Sequence, residues 1–279
     1  MTLSLKSGLR FACLAAVIGL PATVTAHGPI HERIAAATAR IERDPSNAQL
    51  YVERGELERE HLDFQAAFAD FDRAAALDPH LGILDLSRAR AWFDAGDWRR
   101  ARTALDRFIG DHPNHAVGLA MRARVSFKLA DLAPAVEDYT HAIALRPDPD
   151  YYLERAQAQS AAGPASADAA LRGLDEGVAA LGPVISLQLA AIDLELGSRR
   201  YDAALARLDR ILEGAPRKEE WLARRGDILR AAGRRDEARA TYRAALGAIA
   251  VLPAERRTAA TTRLDVRLRA EIEQSERPR

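Results

Sequence analysis

The spacing of prolines constrains this chain more than any other feature. Pro45, Pro79, Pro113 and Pro147 are evenly spaced, each 34 on from the last, and Pro183 and Pro216 continue the series with gaps of 36 and 33. Proline lacks the backbone N–H and pushes the residue before it out of the helical region, so each one marks a helix end. Similar phrases precede three of them: Ala76-Leu77-Asp78-Pro79, Ile109-Gly110-Asp111-His112-Pro113 and Ala144-Leu145-Arg146-Pro147. A chain stopped at so regular an interval is built of repeated short units. Such units lean on their neighbours and share no single central core.

Inside each unit the apolar residues recur at helical three- and four-residue steps, and the pattern breaks once. In the first unit Leu50, Tyr51 and Leu57 precede a break at His61-Leu62-Asp63, after which Ala67, Phe71, Ala74 and Leu77 resume it. Equivalent breaks fall at Ala95-Gly96-Asp97, Leu129-Ala130-Asp131, Ala162-Gly163-Pro164, Gly197 and Ala232-Gly233. A small residue sits on the first helix (Gly55, Ala89, Ala123, Gly226), and another opens the second (Ala67, Ala101, Ala135, Ala204, Ala238). A ring or a leucine follows one helical turn later: Phe71, Leu105, Tyr139, Leu208 and Tyr242. Small residues let two helices approach closely, and the bulky residue fills the space beside them.

Taken together, these units resemble tetratricopeptide repeats. The resemblance implies an all-α, right-handed α-solenoid (a superhelix) of about six helix-turn-helix units over residues 46–250. The units are expected at about 46–79, 80–113, 114–147, 148–183, 184–216 and 217–250. Residues 27–45, with Ile34, Thr38 and Ile41 on one face, read as an N-terminal capping helix. Residues 251–275, carrying Leu264, Leu268 and Ile272, read as a C-terminal one, leaving 276–279 as a tail. Caps are needed because the end units of a stack would otherwise expose an apolar face.

Residues 1–26 read as a secretory signal peptide. Lys6 and Arg10 form a basic start, Phe11 to Val24 an apolar segment, and Val24-Thr25-Ala26 a small-residue cleavage site. The segment is short of the roughly 20 residues that span a bilayer, so no stable membrane anchor is expected after cleavage. The single cysteine, Cys13, lies inside this segment. That excludes a disulfide framework and a Cys-ligated metal site. A thiol-free mature chain suits an oxidising compartment, and a periplasmic or secreted location is expected.

Of the 40 basic residues 37 are arginine, but 40 acidic residues balance them, so no nucleic-acid partner is expected. There is no Gly-rich phosphate loop, no HExxH and no recognisable Ser or Cys nucleophile. Neither an enzyme nor a cofactor is expected. One histidine stands out. Cleavage after Ala26 would make His27 the N-terminus, and its α-amine and imidazole could chelate Cu(II), with His31 one helical turn away as a third ligand. The competing reading is that His27-Gly28-Pro29 is simply a flexible start.

The resemblance also implies a concave groove, lined by the first helices, that holds an extended peptide or a helix of another protein. The residues expected to face it are Glu53, Glu56 and Glu60, then Arg90 and Phe93, then Arg124, Phe127 and Lys128. Tyr151, Glu154 and Arg155 follow, and finally Asp227 and Arg230. One branch of the family grips a C-terminal carboxylate with Lys and Asn on three adjacent first helices; that set is missing, and glutamates stand in the first unit instead. Arg90 and Arg124 could hold an acidic segment in bidentate fashion or pair with carboxylates on neighbouring repeats. Charge is uneven along the array. Residues 27–79 hold 6 basic and 11 acidic side chains, net −5, whereas residues 217–279 hold 16 and 10, net +6. Such ends could favour head-to-tail association, although the sequence leaves the oligomeric state open.

Overall fold

The computed structural model describes residues 28–276. The expected signal segment and His27 lie outside the described residues. Among the described residues the chain forms fourteen α-helices and no strand. Helix α1 (Gly28–Arg43) is followed by six antiparallel pairs and a closing helix. The pairs are α2 (Ala48–Glu60) with α3 (Phe64–Leu77), α4 (Leu84–Asp94) with α5 (Trp98–Asp111), and α6 (Ala116–Lys128) with α7 (Leu132–Leu145). They continue as α8 (Pro149–Ala161) with α9 (Ala167–Leu181), α10 (Ile185–Gly197) with α11 (Tyr201–Gly214), and α12 (Glu219–Ala231) with α13 (Arg235–Ala250). Helix α14 (Ala259–Glu276) closes the array. Every helix packs on the next in sequence, and first helices also touch between units, as α2 does α4 and α8 does α10. The result is an α-solenoid.

The second helices begin at residues 64, 98, 132, 167, 201 and 235, so the unit length is 34 with a single step of 35. The turn before each of them needs a left-handed residue. Leu62, Gly96, Ala130, Gly163, Arg199 and Gly233 all take positive φ, at 67°, 80°, 63°, 114°, 56° and 78°. Only three are glycine, so the other three turns hold strain of about 1 kcal/mol each. Asp63 and Asp97 then cap α3 and α5, their carboxylates accepting from the backbone N–H of Ala66 and Arg100.

Packing inside each pair follows from residue size. Ala67, Ala101, Ala135, Ala170, Ala204 and Ala238 are fully buried, as are Phe71, Leu105, Tyr139, Leu174, Leu208 and Tyr242. A Cβ added to Gly55 would lie 2.5 Å from the Phe71 ring, so a glycine is what lets α2 meet α3. Gly226 meets the Tyr242 ring in the same way.

A polar ladder runs beside this apolar packing. Arg54 on α2 donates to Asp70 on α3 at 2.8 and 2.6 Å, and to Thr38 on α1 at 3.1 Å. The two partners are equally far from it in sequence, one after and one before. Arg122 repeats the arrangement with Asp138 and Asp106, and Arg225 with Thr241 and Asp209. Arg88 reaches back to Asp72 at 2.6 Å and to the Phe71 carbonyl at 3.4 Å, with Ala104 at the forward position. Thr38 thus stands where Asp72, Asp106 and Asp209 stand, which places α1 as a second helix, without a first among the described residues. Helix α14 is the converse, a first helix without a second: Arg267 bonds Asp227 of α12 at 3.0 Å, just as Arg90 of α4 bonds Glu56 of α2.

The ladder is rebuilt in the fifth unit. Its position there is Ala191, and the cation comes instead from α11. Arg207 donates Nε to Glu195 at 2.7 Å and its two terminal nitrogens to Asp175 of α9 at 2.7 and 3.1 Å. Glu195 is 3% exposed and Arg207 8%. The second carboxylate oxygen of Glu195 has no partner among the described residues.

Candidate interaction groove

A cavity of about 500 Å³ lies between α1 and the successive first helices α2 and α4. Ala37, Val52, Leu57 and Ile83 give it an apolar floor, and Arg33, Arg40, Glu53, Glu56, Glu60 and Arg90 its charged rim. The structure therefore brings together all four groove residues expected from the first unit and the start of the second, Glu53, Glu56, Glu60 and Arg90. Their charges are cancelled internally. Arg40 pairs with Glu53, Arg33 with Glu60 at 3.0 Å, and Glu56 receives both Arg59 at 2.7 Å and Arg90 at 3.4 Å. Ser87 also lines this cavity, 1% exposed, with its hydroxyl unpartnered among the described residues.

The alternative left open for the two arginines is resolved by these distances. Arg90 is held by Glu56, and Arg124 donates Nε to both oxygens of Glu154 at 2.9 and 3.0 Å. Both pair with carboxylates on neighbouring repeats, so an acidic segment would have to displace Glu56 or Glu154. Phe93 and Phe127 are half-buried and Lys128 is exposed. The Tyr139 phenol beneath is pushed well up, first by burial and then by the Glu154 carboxylate.

Tyr151 and Arg155 need correcting as groove residues. They are 4% and 5% exposed and cannot meet a partner. The Tyr151 oxygen accepts from Arg146 at 2.7 Å, while Arg155 turns toward α9, donates to Glu176 at 2.6 Å and lies over the Tyr152 ring at 5.4 Å. The reason is positional. Stepping by one repeat, Arg155 follows Ser87 and Met121, both buried, Ser87 at the floor of the cavity described above.

A second cavity, about 780 Å³, opens between α10, α12 and α14. Leu196, Ala223, Ile228 and Leu264 line it, with Arg224, Asp227 and Arg267 at the edge. Asp227 accepts from the Tyr242 hydroxyl at 2.8 Å, and burial together with that bond pushes the Tyr242 phenol up to about 12. Arg230 lies apart from it, exposed, 3.6 Å from Glu271 and beside Arg235 and Arg239.

His31 does not stand alone. Its ring meets that of His61 edge-on, with centroids 4.5 Å apart, and His61 lies 3.9 Å from Glu58. Burial, and then Asp63 and Asp70, raise the Glu58 carboxyl. Sequence reasoning missed His61 because nothing local joins a turn residue to a helix so far before it. Among the described residues no group of three or more His, Cys, Asp or Glu converges as metal ligands would. No helix among them is long and apolar enough to cross a membrane.

Two family models match the chain. One, a tetratricopeptide repeat-like domain, covers residues 151–266, and the other, a tetratricopeptide repeat, covers residues 86–115. No curated protein matches it. Among solved structures, a tetratricopeptide repeat protein from Parabacteroides merdae is similar at 15% identity with a TM-score of 0.54, over 87% of this chain and 93% of that one. Yeast Tom70 is similar at 17% identity and 0.53, over 76% of this chain, which spans only 44% of Tom70. YrrB, a tetratricopeptide repeat protein with an unusual peptide-binding site, is similar at 17% and 0.51, over 64% of this chain and 91% of that one. At these identities the likeness is one of fold.

Proposed function

This chain is a tetratricopeptide-repeat protein, and from that premise we propose that it is an exported, non-catalytic scaffold holding an extended segment of another protein along its first helices. The observation that carries the reading is the cavity between α1, α2 and α4, with an apolar floor and a rim whose charges are already paired. A partner laid there gains by burying apolar side chains. It can exchange existing ion pairs but needs no strong charge of its own. The peptide-binding site for which YrrB is described lends support from the same fold. Photo-crosslinking side chains in place of Leu57 or Arg90 should give an adduct with another protein, while Asp72 or Arg107 positions on the second helices should not. Equal labelling from both faces would remove the groove from this account.

Export rests on the order of residues 1–26, a basic start, an apolar segment and a small-residue cleavage site. Sequencing of the protein recovered from the periplasm is expected to begin at His27. A retained Met1 would remove the export half.

A second reading, a copper-linked accessory role through the freed His27 amine, draws support from the approach of His61 to His31. One-to-one Cu(II) binding by processed protein, lost in His27→Ala and weakened in His61→Ala, is its expected signature. Binding untouched by both changes would end it.

A further inference from the structure

We propose that the two ends of the array are complementary docking surfaces for a second copy of the same chain, α14 of one copy against α1 of the next. This goes beyond the groove and does not depend on what the groove holds. The first argument is topological. Among the described residues the array begins with a second helix that has no first (α1) and ends with a first helix that has no second (α14). Six inner pairs cover one another, whereas among the described residues each terminal helix keeps one long side uncovered, which for α1 rests on the proposed removal of residues 1–26.

The second argument is the chemistry of those sides. On α14, Thr261, Leu264, Leu268 and Ile272 turn inward and the opposite side carries Val266 and Ala270, while Arg263, exposed, stands at the mouth of the cavity against α12. Val266 is 64% exposed, and Val251, in the connection before α14, 81%. A solenoid cap ordinarily has a polar outer face, and these valines depart from that rule. Arg256 and Arg263 flank them, both exposed and without an ion-pair partner among the described residues. On α1, Ile34, Ala37 and Ile41 face α2, while Glu32 and Glu42 lie on the other side, exposed and likewise unpaired among the described residues. Most other carboxylates in this first part of the chain, Glu53, Glu56, Glu60 and Asp70 among them, are already bound to arginine. Arg43 and Asp44 at the head, and Glu255, Arg257 and Glu273 at the tail, are exposed and likewise without an ion-pair partner among the described residues, so each end carries both signs but the balance is negative at the head and positive at the tail.

The third argument is the whole-end charge, net −5 over residues 27–79 against +6 over residues 217–279. Two heads repel each other, and so do two tails. Only head meets tail favourably, a heterologous contact that repeats into an open chain and does not close at two copies.

Sedimentation of the purified protein tests this directly. Mass should grow with concentration beyond two copies at about 0.01 M salt, where the screening length is about 30 Å, and return to monomer at about 1 M, where it is about 3 Å. The tail variant Arg256→Glu/Arg263→Glu and the head variant Glu32→Lys/Glu42→Lys should each weaken self-association about tenfold. All four side chains are exposed, and unchanged helical circular dichroism would confirm that both variants fold. Mixed one to one, the two variants should associate again, since a reversed tail then meets a reversed head. A monomer at both salt concentrations overturns the proposal. So do growth that stops at two copies, association indifferent to both reversals, and a mixture that stays apart.

Discussion

Replacing Arg207 by leucine should remove about 3–5 kcal/mol of stability, because it strands a buried carboxylate. Arg207 is the cation for Glu195, which is 3% exposed and has one oxygen unpartnered even in the native protein. Asp175, half exposed, can return to water when the arginine is lost, but Glu195 cannot. In thermal unfolding the loss corresponds to roughly 10 °C at 2–4 °C per kcal/mol. The transition should also broaden, since a solenoid couples only neighbouring units and the damage is confined to the fifth of the six. The double variant Arg207→Leu/Glu195→Leu should regain at least half of the loss, because well-packed apolar residues replace a buried ion pair at little cost. A single variant within about 1 kcal/mol of the native protein, or a double variant no better than the single, would show that water reaches Glu195 after all.

Phe71→Ala is expected to cost about 3–5 kcal/mol as well, by emptying the space between α2 and α3. The ring is fully buried and presses on Gly55, where a Cβ would lie 2.5 Å from it. That contact supplies a sharper test than the single loss. Gly55→Ala alone should destabilise by roughly 1–3 kcal/mol through overpacking. In the Phe71→Ala background the same change should be near neutral, the helix-propensity gain of about 1 kcal/mol set against the 3.1 Å approach to the Ala67 carbonyl that remains. Gly247→Ala on α13, where no atom lies within 4 Å of the added carbon, should stabilise the native protein outright. Gly55→Ala and Phe71→Ala thus make a double-mutant cycle, and additive behaviour within it would refute this account.

Much of the packing was legible because it is local and repeated. Ala67 and Phe71, or Ala238 and Tyr242, sit one helical turn apart on a second helix, and their partner Gly55 or Gly226 lies on the first helix of the same unit. Each unit restates the pattern, so a weak copy such as the fourth does not spoil it. The charged residues behaved differently. Arg124 finds Glu154, Arg90 finds Glu56 and Arg267 finds Asp227, each pair reaching from one unit into the next. A chain with this many carboxylates offers each arginine several candidates. One signal was available all the same. Arg54 lies midway between Thr38 and Asp70, Arg122 between Asp106 and Asp138, and Arg225 between Asp209 and Thr241, at the same offset each time. Arg155 misled for the opposite reason, since its helical phase suits a groove while its place in the repeat is an interior one.

By itself, then, the sequence determined the helical hairpin, its length and the residues that close it. Those depend on backbone rules at Pro, on left-handed turns and on side-chain volume, all acting within one unit. Only the tertiary structure decided which charges meet, which first-helix residues stay open and which sides of α1 and α14 are left uncovered. These depend on the rotation between one hairpin and the next, and a change in that step moves a side chain from one partner to another without any change in its own local pattern.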